Sequence, residues 1–457
     1  MSKLSEKEDI IARYRGRNIE KKLFELHVVH AQCYLVAQQE SNGKELTKII
    51  NLCEDRYHFL VLFTACMLEA RTTIMPVNRS EGELSRLVAA DSYVDKISDM
   101  DIETICQLEM SAPGAQSAQK NFSWNINLIP DELIVAELYT SGSSGTPVGH
   151  SKTWRQLVNA AQQVYTRFSF DLIESRGERA SIIATVPAQH MFGFELSIVL
   201  PLVCSVSVYY SLPFYPLDIQ SALADMPAPR ILVTTPTHLR ACITLQQDWP
   251  VVEGVISATS PLADELACQI EDVLSTKVEE IYGCSEVGAI ASRRVTTSAD
   301  WELLDGYSLE IVNDAAQLSV PSVGAPVRLP DQIICLSERF FNLTGRVSDM
   351  VKMGGKRGSL ADLTARLRAL HGVKDAVVFR HEQSSQRQRL AALVVVEKTS
   401  TVNVEEIRAA LLKNIDPVFL PRSIGLVHSL PYNATGKLPA MDLIHCLNET
   451  TQTQKIC

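Results

Sequence analysis

A loop of hydroxyl side chains and glycines follows a strand-like run in the first third of the chain. It consists of Thr140, Ser141, Gly142, Ser143, Ser144, Gly145 and Thr146. Backbone N–H groups can converge on phosphate oxygens in such a loop, because glycines permit close approach. The loop does not fit the Walker A pattern G-x-x-x-x-G-K-[ST]. Taken alone, it indicates a phosphate site and a flexible surface linker equally.

A second group of chemically useful side chains ends a later strand-like run, in the segment YGCSE. Tyr282, Ser285 and Glu286 bring an aromatic ring, a hydroxyl and a carboxylate to its carboxyl end, the edge at which α/β sheets bind ligands. The oxygens of Glu286 suit Mg²⁺, which prefers hard ligands, and the ring of Tyr282 suits stacking on a nucleobase. A strand-end turn with a solvated glutamate would be the more common explanation of this segment alone.

Three charged residues follow. Asp331, in VRLPD, offers a carboxylate suited to a diol, and Arg346, in LTGRVSDMVKMGG, offers a guanidinium suited to phosphate or ribose oxygens. Lys437 lies in the Gly-Lys turn of LPYNATGK, which would present a point charge from a loop. Each of the three, considered alone, is more often an ordinary solvated surface charge.

The elements that must position these residues alternate between strand and helix, as in βαβ units. Helical and strand-like patterns alternate through the first 120 residues, and the strand-like runs ASIIATV, ILVTT, GVISAT and VEEIYG follow. Residues 1–346 are therefore predicted to form a large multi-layer α/β domain. The pattern restarts on a smaller scale in residues 347–457, which predicts a compact α+β domain.

Composition excludes several classes of protein. The 457 residues carry 43 Lys and Arg against 53 Asp and Glu, a net charge of −10, and 46% are hydrophobic. This composition is globular, and an acidic chain without a basic stripe argues against a nucleic-acid partner. The 11 scattered cysteines and the charged N-terminus predict a reduced cytosolic protein. The uncharged stretch 196–217 contains three prolines and a β-branched run, which predicts a buried strand and no membrane insertion.

The four motifs TSGSSGTP, YGCSE, the pair Asp331 and Arg346, and LPYNATGK occur in the order found in the adenylate-forming superfamily. That superfamily includes acyl-CoA synthetases, aryl-CoA ligases, luciferases and nonribosomal-peptide adenylation domains. Each motif is weak alone, but four in the correct order make a chance match improbable. The chain thus resembles this superfamily over nearly its whole length. The resemblance implies a large adenylating domain with a small mobile C-terminal domain.

The resemblance also implies which residues bind ATP and magnesium. The loop 140–146 would wrap the phosphates, Glu286 would hold Mg²⁺, and Asp331 would grip both ribose hydroxyls. Arg346 stands just before the interdomain hinge, which falls at Ser348. The adenine contacts are implied at Ala258, Thr259, Ser260 and Tyr282. Gly283 and Ser285, the latter in place of the usual threonine, are also implied to bind the nucleotide.

Three further residues are implied in binding the acid and in the adenylation reaction. His190 and Gly193, in HMFGFE, match the superfamily's His-aromatic-Gly motif beside the acyl pocket. Lys437 matches the lysine that bridges the carboxylate and the α-phosphate. A carboxylate that attacks the α-phosphorus of ATP brings two anions together, so Mg²⁺, N–H groups and a lysine must offset the repulsion. The implied catalytic residues are therefore Lys437, Glu286 and His190.

The chain departs from the superfamily's pattern in the phosphate loop. Where Pro-Lys-Gly is usual, this chain has Pro147, Val148 and Gly149. The lost cation would weaken contact with the outgoing pyrophosphate. His150 or Lys152 is a candidate for the missing charge, and an exposed, uninvolved Lys152 fits the sequence equally.

The compact length, the variant loop and the ending LPYNATGK resemble stand-alone AMP-ligases of aryl-polyene pathways. This resemblance implies an ATP-dependent ligase that adenylates an aryl or acyl carboxylic acid and passes it to the phosphopantetheine thiol of an acyl carrier protein. A synthetase that uses free CoA is one alternative. A catalytically silent nucleotide-binding homologue is another, and Val148 and Ser348 keep it open.

Overall fold

The computed structural model describes residues 9–42, 46–76, 79–90, 94–107, 129–141, 147–245, 248–313, 315–346, 350–353, 356–382, 388–397, 400, 402–413, 415–432 and 438–453. Two compact units are distinguished. The first comprises Met1–Tyr307 with Val320–Ala325, and the second comprises Ser308–Ser319 with Pro326–Cys457. The domain boundary predicted after residue 346 stays a prediction.

The first unit alternates strands and helices along the chain. Its strands are β1 Ile10–Tyr14, β2 Arg17–Glu20, β3 Lys48–Asn51, β4 Thr72–Met75, β5 Val94–Ile97, β6 Ile134–Ser141, β7 Pro147–Thr153, β8 Ala180–Ala184, β9 Val206–Tyr209, β10 Arg230–Thr234, β11 Gly254–Ser257, β12 Lys277–Cys284, β13 Gly288–Arg293 and β14 Trp301–Leu303. Its helices are α1 Lys21–Asn42, α2 Arg56–Leu68, α3 Glu81–Ala90, α4 Asp99–Cys106, α5 Trp154–Arg167, α6 Phe170–Ser175, α7 Met191–Phe194, the π-helix Glu195–Val199, α8 Leu200–Val203, α9 Pro216–Asp225, α10 Pro236–Cys242 and α11 Asp264–Leu274.

Two sheets carry the first unit. One has the order β5-β3-β4-β6-β7, parallel except for the antiparallel pair β6 and β7. In the other, β14-β13-β12-β11-β10-β8-β9-β1-β2 lie side by side. Its central strands β12, β11, β10, β8 and β9 run parallel, whereas β13 returns antiparallel to β12. Parallel strands place their carboxyl ends at one edge, where loops can build a site.

Helix α2 shows how the sequence builds the core of this unit. It begins because Asp55 accepts hydrogen bonds from the N–H groups of Tyr57 and His58, at 2.9 and 3.2 Å. Such an N-cap stabilises a helix by about 1 kcal/mol. Every residue from Arg56 to Met67 is buried, which is typical of a helix that is apolar on all sides.

Arg56 is the one charged side chain among those buried residues of α2, and its hydrogen bonds explain its position. Its guanidinium donates to the carbonyls of Ala184, Val186 and Ser211, at 3.1, 2.7 and 2.8 Å, and to Ser197 Oγ at 2.8 Å. A buried charge is tolerated when its donors are satisfied in this way. Arg56 thereby fixes the chain beyond β8, where the His190 segment follows.

The second unit contains smaller sheets. Its strands are β15 Ser308–Val312, β16 Ala315–Ser319, β17 Val327–Arg328, β18 Asp331–Cys335, β19 Phe340–Arg346, β20 Met350–Met353, β21 Lys356–Ser359, β22 Val373–Glu382, β23 Gln388–Val396 and β24 Ser423–Leu426. Its helices are α12 Leu360–Arg368, α13 Val404–Leu412, the 3₁₀ turn Pro417–Phe419 and α14 Ala440–Thr453. Strands β22, β23 and β24 carry an apolar core with α12, α13 and α14.

The uncharged stretch 196–217 has the predicted form. It contributes the end of the π-helix, the short α8 and the strand β9, which pairs in parallel with β8 and with β1. No helix among the described residues is long and apolar enough to cross a membrane.

Candidate functional site

Several predicted site residues follow parallel strands of the larger sheet. The segment with His190 follows β8, Ala258, Thr259 and Ser260 follow β11, and Ser285 and Glu286 follow β12. These strands have their carboxyl ends at one edge of the sheet. These three segments therefore leave the same edge of the sheet within the first unit.

The turn between β12 and β13 connects this edge to the second sheet. His150, on β7, has its Nε2 atom 4.0 Å from Glu286 Oε1 and 3.1 Å from Thr140 Oγ1. The side chain of Glu286 is 42% exposed. One imidazole therefore lies between the first residue of the phosphate-loop motif and the carboxylate predicted to hold Mg²⁺.

Lys152, two residues further along β7, is buried rather than exposed, so an exposed Lys152 is excluded. Its ammonium donates a hydrogen bond to the backbone carbonyl of Glu286, which leaves it aimed at the turn and away from solvent. Burial lowers the pKa of Lys152, while Cys284 and the carboxylates of Glu195 and Glu286 oppose that change. Of the two candidates for the missing cation, His150 is the one beside Thr140.

Glu195 is a second buried ionisable residue, besides Lys152, that contacts the turn between β12 and β13. It begins the π-helix, is 3% exposed, and accepts a hydrogen bond from the Ala289 N–H at 3.0 Å through Oε2. Burial raises its pKa to about 7, although the Ala289 hydrogen bond and the nearby Lys152 act in the opposite direction. Its Oε1 atom has no hydrogen-bond partner in the described part of the chain.

The His-aromatic-Gly motif forms the short helix α7. His190 is its N-cap, and the Nδ1 atom accepts from the Phe192 N–H at 3.4 Å. Gly193 is required because a Cβ there would collide with the carbonyl oxygen of Pro187. This close approach packs α7 onto the end of β8. Phe192 is buried, so in this conformation it belongs to the packed core.

The segment after β11, which is predicted to contact adenine, is tethered by Glu280, and Glu280 is in turn paired with Arg293. Glu280 Oε1 accepts from the Leu262 N–H at 2.8 Å, and its Oε2 accepts from Arg293 at 2.8 Å. Thr259 adopts a φ of +81°, an uncommon conformation for a β-branched residue. The chain after β11 is thus bent and tethered beside the site.

A protein-family model described as AMP-binding enzyme matches residues 32–336. A second family model, described as AMP-binding enzyme C-terminal domain, matches residues 365–437. The chain belongs to the AMP-binding enzyme family. The predicted superfamily and α/β fold class are confirmed, as is the enzyme class, an AMP-forming, acyl-adenylating ligase.

Relatives of this AMP-binding enzyme include ligases with different acceptors. It is 29% identical over 307 residues to a 4-coumarate–CoA ligase of Halorhodospira halophila, covering 65% of this chain and 73% of the relative. It is 21% identical over 330 residues to a 3,4-dihydroxybenzoate–[aryl-carrier protein] ligase of Bacillus anthracis, covering 68% and 74%. The ATP-bound MatB of Rhodopseudomonas palustris has the same fold, with a TM-score of 0.79, 16% identity and 96% coverage of both chains.

The aromatic residue of the YGCSE motif is packed inside the AMP-binding domain. Tyr282 is 9% exposed, and its ring centroid lies 5.7 Å from that of Trp301. Arg293 in turn lies over the Trp301 ring, 4.4 Å from its centroid. The implied adenine contact of Tyr282 stays a prediction.

The structure describes only some of the remaining predicted site residues. Asp331 and Arg346 are opposite each other in the β18–β19 pair of the second unit. Only the backbone of Ser141 and Arg346 is described. Gly142, Ser143, Ser144, Gly145, Thr146, Ser348 and Lys437 lie outside the described residues.

The carboxylate of Glu286 fits a magnesium ion that is bound together with a nucleotide. Mg²⁺ usually keeps several waters and takes one or two carboxylates plus substrate phosphates. Glu286 offers one partly exposed carboxylate. The described residues contain no cluster of three His, Cys, Asp or Glu side chains that would make an all-protein metal cage. A single carboxylate 4.0 Å from His150, whose imidazole also contacts Thr140, therefore fits a metal held mainly by ATP.

Sequence reasoning missed Arg56 and Glu195 and left Lys152 undecided. The sequence does carry one signal for Lys152, because Val148, His150 and Lys152 alternate and so lie on one face of β7. Glu195 directly precedes an uncharged stretch, where an acidic residue is expected to be paired when buried.

Proposed function

We propose that this enzyme activates an aryl carboxylic acid with ATP and transfers it to the phosphopantetheine thiol of an acyl carrier protein. The observation that carries this proposal is the placement of His150 between Thr140 and Glu286. His150 lies close both to Thr140, at the start of the predicted phosphate loop, and to the carboxylate that we propose holds Mg²⁺, at the edge of a parallel sheet.

The first half-reaction joins the acid to AMP. A carboxylate oxygen of the acid forms a bond to the α-phosphorus of ATP, and the bond to the bridging oxygen breaks, releasing pyrophosphate. Glu286 would hold Mg²⁺, which would neutralise part of the triphosphate charge. The loop 140–146 would donate N–H groups to phosphate oxygens, and Lys437 would offset the charge that develops between the two anions.

The second half-reaction consumes the adenylate. The thiol sulfur forms a bond to the carbonyl carbon, the bond to the AMP oxygen breaks, and the thiol proton is lost to solvent. The adenylate is a reactive anhydride, so water must be excluded until the thiol arrives. Asp331 and Arg346 would bind the ribose and phosphate oxygens. Ala258, Thr259, Ser260 and Tyr282 would contact the base, and Gly283 and Ser285 would complete the nucleotide site.

The acid class and the acceptor rest on separate arguments. An aryl acid is favoured because the two relatives above are named for 4-coumarate and 3,4-dihydroxybenzoate. A carrier protein is favoured by the resemblance to aryl-polyene AMP-ligases and by the sequence's lack of an obvious basic cluster for the 3′-phosphate of CoA. Free CoA is the second candidate, because the more similar of the two relatives is named a CoA ligase. The proposed location is the cytosol, where the cysteines would stay reduced.

The test is ATP–pyrophosphate exchange with a panel of aromatic and aliphatic acids. We expect at least one hydroxylated aromatic acid to support exchange, and EDTA to abolish it. If no acid supports exchange while the protein is folded, the silent nucleotide-binding homologue is the correct interpretation. Positive acids are then offered with CoA or with a holo acyl carrier protein, and mass spectrometry identifies which thiol becomes acylated.

A further inference from the structure

Two buried side chains hold the turn that presents Glu286, one at each end. The Lys152 ammonium donates to the Glu286 carbonyl, and Glu195 Oε2 accepts from the Ala289 N–H at 3.0 Å. Lys152 comes from β7 and Glu195 from the π-helix, so they approach the turn from separate elements. Gly288, within the same turn, has a φ of +107°, and a Cβ there would lie 3.1 Å from Glu195 Oε2.

The burial of these two charges indicates that they act on conformation. Lys152 is 2% exposed and Glu195 is 3% exposed. A buried ionisable group is costly unless it is hydrogen-bonded, and here each of the two groups has a hydrogen bond to the backbone of the turn. These two contacts restrict where the turn can lie, since breaking either one leaves a buried polar group without its hydrogen-bond partner.

The same strand, β7, also meets the phosphate-loop motif. It pairs with β6 in a register that sets Val148 opposite Thr140 and His150 opposite Leu138. The exposure of the side chains on one face decreases from Val148, which is 47% exposed, through His150 to the buried Lys152. A displacement of β7 would therefore move the phosphate-loop strand and the Glu286 turn together.

We propose that Lys152 and Glu195 form a buried clamp that positions the Glu286 turn for cation binding, with Lys152 as the main positioning residue. The clamp fixes the backbone of Glu286, and the orientation of its carboxylate toward His150 and the ATP site follows. This proposal rests on the proposed function, because it assigns the clamp to the magnesium-dependent binding of ATP.

The experiment measures the magnesium dependence of ATP binding, without acid, so that no turnover occurs. Titration calorimetry gives ATP affinity over a range of Mg²⁺ concentrations for the wild-type protein and for Lys152→Met. We expect the Mg²⁺ concentration for half-maximal ATP binding to rise by about 10- to 100-fold, the range typical for partners that orient a metal ligand. Glu195→Gln keeps a side-chain oxygen that can accept from the Ala289 N–H, so it should shift this Mg²⁺ concentration less than Lys152→Met does.

Controls separate positioning from folding. Lys48→Met removes an ammonium from the same five-stranded sheet, where it contacts Glu137 at 3.4 Å, and should leave the magnesium dependence unchanged. The double variant Lys152→Met with Glu195→Gln removes both buried ionisable groups. It therefore tests the clamp without leaving one of them buried alone. Thermal unfolding reports whether each variant is folded.

The outcomes distinguish the two proposals. If the wild-type protein binds ATP with magnesium and the folded double variant has the same magnesium dependence, the clamp is overturned and the proposed function stands. A uniform loss of ATP affinity at every Mg²⁺ concentration would also overturn it. If the wild-type protein shows no magnesium-dependent ATP binding, both proposals fail.

Discussion

His238 is an imidazole buried at the carboxyl edge of the larger sheet. Its Nδ1 atom lies 2.9 Å from Thr235 Oγ1 and 3.2 Å from Thr185 Oγ1. Burial lowers its pKa from 6.5 to about 4, so it stays neutral in the folded protein well below neutral pH. The unfolded chain binds a proton at His238 that the folded chain does not bind between those two values. Stability therefore falls as the pH falls from 6.5 toward 4.

The variant His238→Asn should weaken that pH dependence. Asparagine keeps a polar atom near the position of Nδ1 and does not titrate. We expect its free energy of unfolding to fall less steeply between pH 6.5 and 4, by up to about 1.4 kcal/mol per pH unit. Urea unfolding at several pH values measures the slope, and His27, which burial shifts in the same direction, remains in both proteins. Parallel curves for the two proteins would contradict the assignment.

Individual residues could be predicted where a motif fixes both type and position. Glu286 and His190 lie beyond the carboxyl ends of strands, as their segments predicted. Lys152 could not be assigned, because PVGHSKT reads as a polar strand and burial depends on a turn 134 residues away. The same holds for Glu195, whose partner Ala289 is 94 residues distant.

At the scale of elements, the junction between β8 and α7 depends on one glycine. A Cβ at Gly193 would collide with the Pro187 carbonyl and lie 3.2 Å from a Val186 methyl. We expect Gly193→Ala to lower the free energy of unfolding by about 1–3 kcal/mol, because overpacking displaces the backbone. It should also weaken acid binding in the exchange assay, since α7 is implied to border the acyl pocket.

Gly82→Ala is the matched control, measured by the same thermal unfolding. Gly82 lies in α3 with nothing within 4 Å of its added Cβ, so alanine should stabilise the protein by about 0.5–1 kcal/mol. Equal losses in the two variants would contradict the steric argument for Gly193.

Long elements with regular patterns were predictable, and short antiparallel ones were not. The strands β8, β10, β11 and β12 fall within or overlap the predicted runs ASIIATV, ILVTT, GVISAT and VEEIYG. Strands β15 and β16, which the sequence patterns do not predict, pair as a hairpin within the segment GYSLEIVNDAAQLSVPSVGAP. Asn313, at its tip, adopts a φ of +50°, and an Asn-Asp turn signal was available there. Similarly, β1 and β2 form a hairpin in the charged N-terminal segment, because backbone pairing does not require an apolar pattern.

At the scale of the whole molecule, the prediction concerns Lys437 and the two half-reactions. If a small domain brings this lysine to the adenylate site and then leaves, Lys437→Ala should slow pyrophosphate exchange on the order of 100- to 1,000-fold. Thioester formation from a pre-made acyl-adenylate should be nearly unchanged, because the lysine has then left. Rapid-quench kinetics measures each step separately, and equal losses in both would contradict alternation between two states.

The reversal of the chain after β12 has a consequence for Glu286. In most parallel sheets a strand is followed by a helix, whose first N–H groups partly neutralise an acidic side chain nearby. Here β12 runs into the antiparallel strand β13, and strands carry only a small net dipole. The carboxylate is therefore followed by a hairpin strand instead of a helix start, so the element after β12 supplies no helix dipole to offset its negative charge before a cation arrives.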